Sequence, residues 1–171
     1  MKWIYFLGLT YFFCFSFITT SFNIPNILQQ KLEKAISSTF EDEKLTISEV
    51  DFSQYEIQKK DELHIFRISK NENLIGYAYL SQANSKHDVY DFVVLYDKDL
   101  EIKKSKILIY RENYGRQVGS QRWLRQFIGM KPGETFKYGD DISAVSGATI
   151  TATSMTKAVQ KSLDDMKTFN Q

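Results

Sequence analysis

The sequence predicts an α+β protein: an antiparallel β meander packed with a few helices, with a C-terminal helix that follows a small-residue loop. Three observations carry this expectation. Apolar residues recur at helical spacing near both ends of the chain, after residue 25 and before residue 167. Between them lie short β-prone runs, separated by polar turns of the length that joins neighbouring antiparallel strands. The chain has 171 residues, 43% hydrophobic and 25% charged, which fits one domain with a real core.

The first stretch stands apart. Met1 and Lys2 precede a run from Trp3 to Phe22 that contains no charge. A short positive start and a long apolar run read as a secretory signal peptide or an N-terminal membrane anchor over residues 1–22, and the length suits either. Thr19 and Ser21 form a weak small-x-small cleavage site. The domain proper is then 23–171. The 22 basic residues less Lys2 leave 21 against 21 acidic ones. That balance argues against nucleic acid as a partner. Cys14, the only cysteine, falls inside the apolar run behind two Phe, where a lipid-attachment signal needs small residues. The exported part therefore has no disulfide, thiolate metal site or Cys nucleophile, and its stability comes from packing.

Pro25 and Asn26 open the first helix. Leu28, Leu32, Ala35, Ile36 and Phe40 share one face, and Gln29, Lys31, Glu33 and Lys34 the other. The charged run Glu41-Asp42-Glu43-Lys44 ends it. A strand is expected over 45–52, with Leu45, Ile47 and Val50 inward. Strands over 63–69 and 74–80 flank an Asn71-Glu72-Asn73 turn, with Gly76 marking a bulge. Gln82 to Lys86 reads as a polar loop. Strands over 89–96 and 101–110 follow, joined at Asp97-Lys98-Asp99. Residues 111–119 form a loop whose two glycines permit close backbone approach. Ser120 caps a short helix through Ile128 that buries Trp123, Leu124, Phe127 and Ile128. Lys131-Pro132-Gly133-Glu134 is a turn, and 140–150 a loop or short strand. The last helix covers 151–167, with Met155, Ala158, Val159, Leu163 and Met166 as its apolar stripe.

Little here suits hydrolytic catalysis. His64 and His87 lack metal-ligand spacing, and neither has a visible partner for base catalysis; His64 reads as a surface strand residue. The acidic pairs Asp140-Asp141 and Asp164-Asp165 read as a solvated turn and a solvated helix face. Arg122 and Arg125 read as an exposed basic face. The informative stretch is Ser143-Ala144-Val145-Ser146-Gly147-Ala148-Thr149-Ile150-Thr151, small residues running straight into a helix. The first N–H groups of a helix have no internal partner, and its dipole favours a nearby anion by about 0.3–1 kcal/mol. Gly147 permits close backbone approach, Ala148 leaves room, and Ser146, Thr149 and Thr151 offer hydroxyls. Taken alone, the pattern fits an ordinary Ser/Thr helix cap better than a ligand site.

Ser146-Gly147-Ala148-Thr149 followed by Ile150-Thr151 resembles the flavinylation motif of the FMN-binding domain family. That family includes the C subunit of the sodium-translocating NADH:quinone reductase and the G subunit of the Rnf complex. Glu112-Asn113-Tyr114-Gly115 resembles the family's second loop, Glu-Thr-Pro-Gly, keeping its Glu and Gly. The likeness spans roughly residues 70–167. It implies FMN joined covalently to Thr149 as a phosphodiester, by a separate flavin transferase. The phosphate would sit against the start of the last helix, with Ser146, Gly147, Ala148, Ile150 and Thr151 around it. Tyr114 and Gly115 would border the isoalloxazine, and Glu112 would hold their loop. The family's usual Asp three residues before the motif's Ser, thought to guide the transferase, is Ser143 here, with Asp141 two residues earlier. The implied function is an extracytoplasmic electron carrier between a membrane redox partner and another redox protein. No catalytic residue or metal is implied. No G-x-G-x-x-G fingerprint offers a nicotinamide site, so this is an electron-transfer component and not a complete enzyme.

Overall fold

The structure, a computed structural model, describes residues 24–55, 57 and 62–170. The expected leader or anchor over 1–22, with Cys14, lies outside the described residues. No helix among the described residues is long and apolar enough to cross a membrane.

Helix α1 (Asn26–Phe40) precedes five strands: β1 (Thr46–Glu49), β2 (His64–Lys70), β3 (Asn73–Asn84), β4 (Val89–Asp97) and β5 (Ile102–Tyr110). They form one sheet in the order β1-β2-β3-β4-β5, every pair antiparallel. This is the expected meander. A one-turn 3-10 segment (Arg116–Gly119) leads to α2 (Gln121–Leu124), which tightens into 3-10 geometry over Arg125–Phe127. Helix α3 (Thr149–Lys167) closes the fold.

The continuous apolar character of β4 has a direct cause: the sheet is covered on both faces. Alternate β4 side chains divide between two cores. Tyr90, Phe92, Val94 and Tyr96 join Trp123, Phe127, Met155, Val159 and Leu163 beneath α2 and α3. Val93 and Leu95 join Leu28, Leu32, Ala35 and Ile36 beneath α1. Buried polar contacts fix α3 on its face. The Tyr79 hydroxyl donates to Asp165 Oδ2 at 2.7 Å, and the Tyr96 and Ser162 hydroxyls meet at 2.6 Å. Burial pushes both phenols above their usual range, so they act as protonated partners.

Local signals behave as their chemistry requires. Lys70 pairs with Asn73 across a two-residue turn in which Asn71 and Glu72 both have positive φ, the twist that suits a tight hairpin. The bulge falls beside Gly76: Ile68 pairs with Gly76 and Ser69 with Leu74, leaving Ile75 unpaired. A Cβ at Gly76 would collide with the Tyr96 carbonyl and lie 2.7 Å from the Phe40 ring.

Several expectations are corrected. Strand β1 has four residues, because the chain leaves the sheet soon after Val50 donates to Ile65 O at 2.8 Å. The polar stretch from Gln82 is not all loop: β3 runs to Asn84, and Gln82 reaches the buried Asp91 at 2.8 Å, where Arg111 also binds at 2.6 Å. Ile128 is 48% exposed, since the tightening after Leu124 turns it off the buried face and its backbone is extended. Ser120 holds the cap position of α2 without a side-chain bond. Asp164 is exposed, but Asp165 is buried against Tyr79 and Lys161. Helix α3 begins at Thr149, two residues earlier than expected.

Candidate functional site

Two loops meet at the start of α3. The first leaves β5. Gly115 there has φ +72°, and a Cβ on it would lie 2.9 Å from the Tyr110 hydroxyl, 3.3 Å from Thr151 Oγ1 and 3.6 Å from the Ala148 methyl. Only glycine gives both the left-handed backbone and the space. The Tyr110 hydroxyl donates to Tyr114 O at 2.7 Å and lies 3.2 Å from Thr151 Oγ1, so one phenol joins the loop to the helix.

Glu112 is buried and engaged. Its Oε1 accepts from the Ser85 hydroxyl at 2.5 Å, from His87 N–H at 2.6 Å and from Asp88 N–H at 2.9 Å. These donors, the Ser85 hydroxyl first, hold its carboxyl below the usual range. Glu112 thereby ties the β3–β4 turn to the β5 exit. Arg116 braces the same loop, donating from Nε to Glu112 O at 3.2 Å.

The second loop carries residues 139–148. The Trp123 indole N–H donates to Ser143 O at 2.7 Å, and Ser143 N–H donates to Gln126 Oε1 at 2.9 Å. Val145 N–H donates to the Tyr138 hydroxyl at 2.9 Å. Gly147 turns the chain at φ +74°, with no atom within 4 Å of its Cβ position. Its role is conformational and it leaves open space. Ala148 N–H then donates to Val145 O at 3.1 Å.

Ala148 is the N-cap of α3, and no side chain caps the helix. This overturns the ordinary Ser/Thr cap as the reason for the small-residue stretch. The first intrahelical bond is Ala152 N–H to Ala148 O at 2.9 Å. The N–H groups of Thr149, Ile150 and Thr151 precede it and have no helical acceptor. No acidic residue lies in this first turn.

Together these pieces form an open cleft of about 250 Å³, lined by Lys86, Glu112, Tyr114, Gly115, Gly147, Ala148, Thr149, Ile150 and Thr151. Eight of the nine expected binding residues line it. Ser146, exposed, stands just outside, and the Thr151 hydroxyl is taken up by Tyr110. Tyr114 is 75% and Ile150 54% exposed, so an aromatic and an aliphatic side chain stand at the mouth. Sequence reasoning missed Lys86, Ser85 and Tyr110. Lys86 and Ser85 come from a hairpin tip whose local sequence signals only a turn. A larger hollow of about 570 Å³ lies further along α3 beside Phe136 and Gln160. It lacks the uncapped helix start, and the converging chemistry lies in the smaller cleft.

The remaining polar residues stay apart from the cleft or serve structure. His64 Nδ1 lies 2.6 Å from Glu49 Oε1. The exposed Asp141 accepts from Lys137 N–H at 2.9 Å, and Arg122 and Arg125 are exposed. Among the described residues, no group of three or more His, Cys, Asp or Glu side chains could hold a metal ion.

An uncapped helix start, an adjoining hydroxyl and a lysine line the same cleft, an arrangement whose chemistry suits an anionic group such as a phosphate. Residues 84–164 match the family model of the FMN-binding domain. This segment, similar to the FMN-binding domain, runs from the end of β3 into α3 and contains both loops. No curated protein matches the chain.

Proposed function

We propose that the protein is an exported flavoprotein electron carrier whose FMN is joined through its phosphate to Thr149 Oγ1. The carrying observation is the position of Thr149. It is exposed, it is the first residue of α3, and it opens on the cleft beside N–H groups that no side chain caps. An ester made there leaves its phosphate charge at the positive end of the helix. The fit extends to the ring. Tyr114 and Ile150 offer exposed apolar surface at the mouth, Gly115 lets the loop close on the helix, and Glu112 keeps that loop in place. FMN supplies the redox chemistry, while the chain binds and orients it. No residue of the cleft is required as a general acid or base.

A flavin transferase makes the bond in this reading. The apolar run over 3–22 exports the domain or anchors it to the membrane, and a membrane redox partner and an extracytoplasmic acceptor exchange electrons with the flavin. Non-covalent FMN binding, or binding of another phosphorylated ligand, is the second reading. It is favoured by Ser143, which stands where the family usually has Asp.

The experiment is intact-mass measurement of the chain produced with its transferase. A gain of FMN minus water, mapped to the peptide holding Thr149, is expected, and Thr149→Ala abolishes it. Flavin that leaves completely on denaturation would favour the second reading. A colourless wild-type protein under all conditions would dismiss both flavin readings.

A further inference from the structure

The cleft presents two charged side chains, Glu112 and Lys86, and the first is already engaged. Glu112 Oε1 accepts three hydrogen bonds from the turn between β3 and β4. Lys86 lies at the centre of that turn, between Ser85 and His87, both of which donate to Glu112. The turn is also closed on itself: Ser85 N–H donates to Asp88 O at 2.7 Å, and the Ser85 hydroxyl oxygen lies 2.8 Å from the same carbonyl. The backbone that carries Lys86 is thus held on the cleft wall built by the hairpin, while α3 builds the other wall. The Lys86 side chain is exposed and makes no ion pair among the described residues.

A phosphodiester keeps one full negative charge, and a helix start offers only about half a positive charge against it. A lysine, a mobile point charge on a flexible stem, suits an anion whose place is fixed by another bond. We infer that Lys86 is the positioning residue that pairs with the flavin phosphate across the cleft from the start of α3. The inference rests on the FMN reading and deepens it: the hairpin tip, and not α3 alone, recognises the phosphate.

The test uses full-length apoprotein made without transferase, titrated by flavin fluorescence with FMN and with riboflavin, which lacks the phosphate. Lys86→Met is expected to weaken FMN about 3- to 10-fold, the range from an exposed ion pair to a charge-assisted hydrogen bond. Riboflavin binding should not change, and Lys86→Arg should keep most of the FMN affinity. Equal loss for both flavins would place the lysine at the ring and overturn the inference, as would no loss for either. Where the wild type carries the adduct but binds neither free flavin, acylation of Lys86 read by peptide mass replaces the titration. Lys86 should then react more slowly in the loaded chain than in the apoprotein, and equal rates would overturn the inference. A wild type that neither binds flavin nor carries an adduct refutes the FMN reading itself, an outcome distinct from a Lys86 effect.

Discussion

Gly115 and Gly147 have nearly the same backbone, φ +72° and +74°, in different surroundings. Replacing either with Ala forces a side chain into the left-handed region, at about 1–2 kcal/mol. At Gly147 nothing lies within 4 Å, so that cost stands alone. At Gly115 the new methyl lies 2.9 Å from the Tyr110 hydroxyl and 3.3 Å from Thr151 Oγ1. The phenol must move, which weakens its bonds to Tyr114 O and Thr151, each worth about 0.5–1.5 kcal/mol. Gly115→Ala should therefore cost about 2–4 kcal/mol, roughly twice Gly147→Ala. Urea unfolding of the apoprotein, followed by tryptophan fluorescence, measures both. Adding Tyr110→Phe removes the crowded oxygen, so Tyr110→Phe/Gly115→Ala should lose less than its two single changes summed. Equal losses at the two glycines, or strict additivity in the double variant, would refute the crowding argument.

Two further outcomes follow from the buried acids. The donors on Glu112 lower its folded pKa, so its stabilisation is present above the ordinary carboxylate value of 4.5 and fades as pH falls toward the lowered value. Glu112→Gln should be less stable than wild type at neutral pH, and the gap should shrink below pH 4.5; urea midpoints from pH 7 down to about 3 measure it, and a constant gap counts against the assignment. Tyr79→Phe removes a donor from the buried Asp165, which keeps Lys161 at 2.8 Å. A loss of about 1.5–3 kcal/mol is expected in the same assay, and a change below about 0.5 kcal/mol would contradict the role of this bond in seating α3.

What could be read from the sequence depended on whether the signal was local. The Asn71-Glu72 turn, the β4 run and the α3 stripe each follow from residues close together in the chain, and each appears in the fold. The assignment of β4 residues to two cores needs knowledge of both covering helices, which periodicity within one strand does not hold. Gln82 looked like loop because its polarity is matched by Asp91, nine residues away on the neighbouring strand. Asp165 looked solvated for the same reason, as its partner Tyr79 is 86 residues distant. One wall of the cleft was readable because residues 147–151 are contiguous, and the loop at Glu112 and Gly115 carried its own glycine. Lys86 was not readable, since its place depends on a carboxylate 25 or more positions away gripping the turn that presents it.

The size of the cleft bears on why a covalent link suits this fold. Sites that hold drug-sized ligands by contact alone enclose about 300–1,000 Å³ and bury most of the ligand. The cleft at Thr149 is open and about 250 Å³. Contacts there must offset the loss of a free ligand's translational and rotational freedom, a cost of about 4–15 kcal/mol, with little buried surface to do so. A bond to Thr149 removes that requirement, because a tethered ring samples the cleft at an effective concentration of order millimolar. The contacts then need only orient the ring against Tyr114 and Ile150, both exposed. A deeper pocket would retain the flavin without a bond but would bury its edge. In the electron carrier proposed above that edge would have to meet a partner, and a shallow cleft with a tether would keep the cofactor while leaving it accessible.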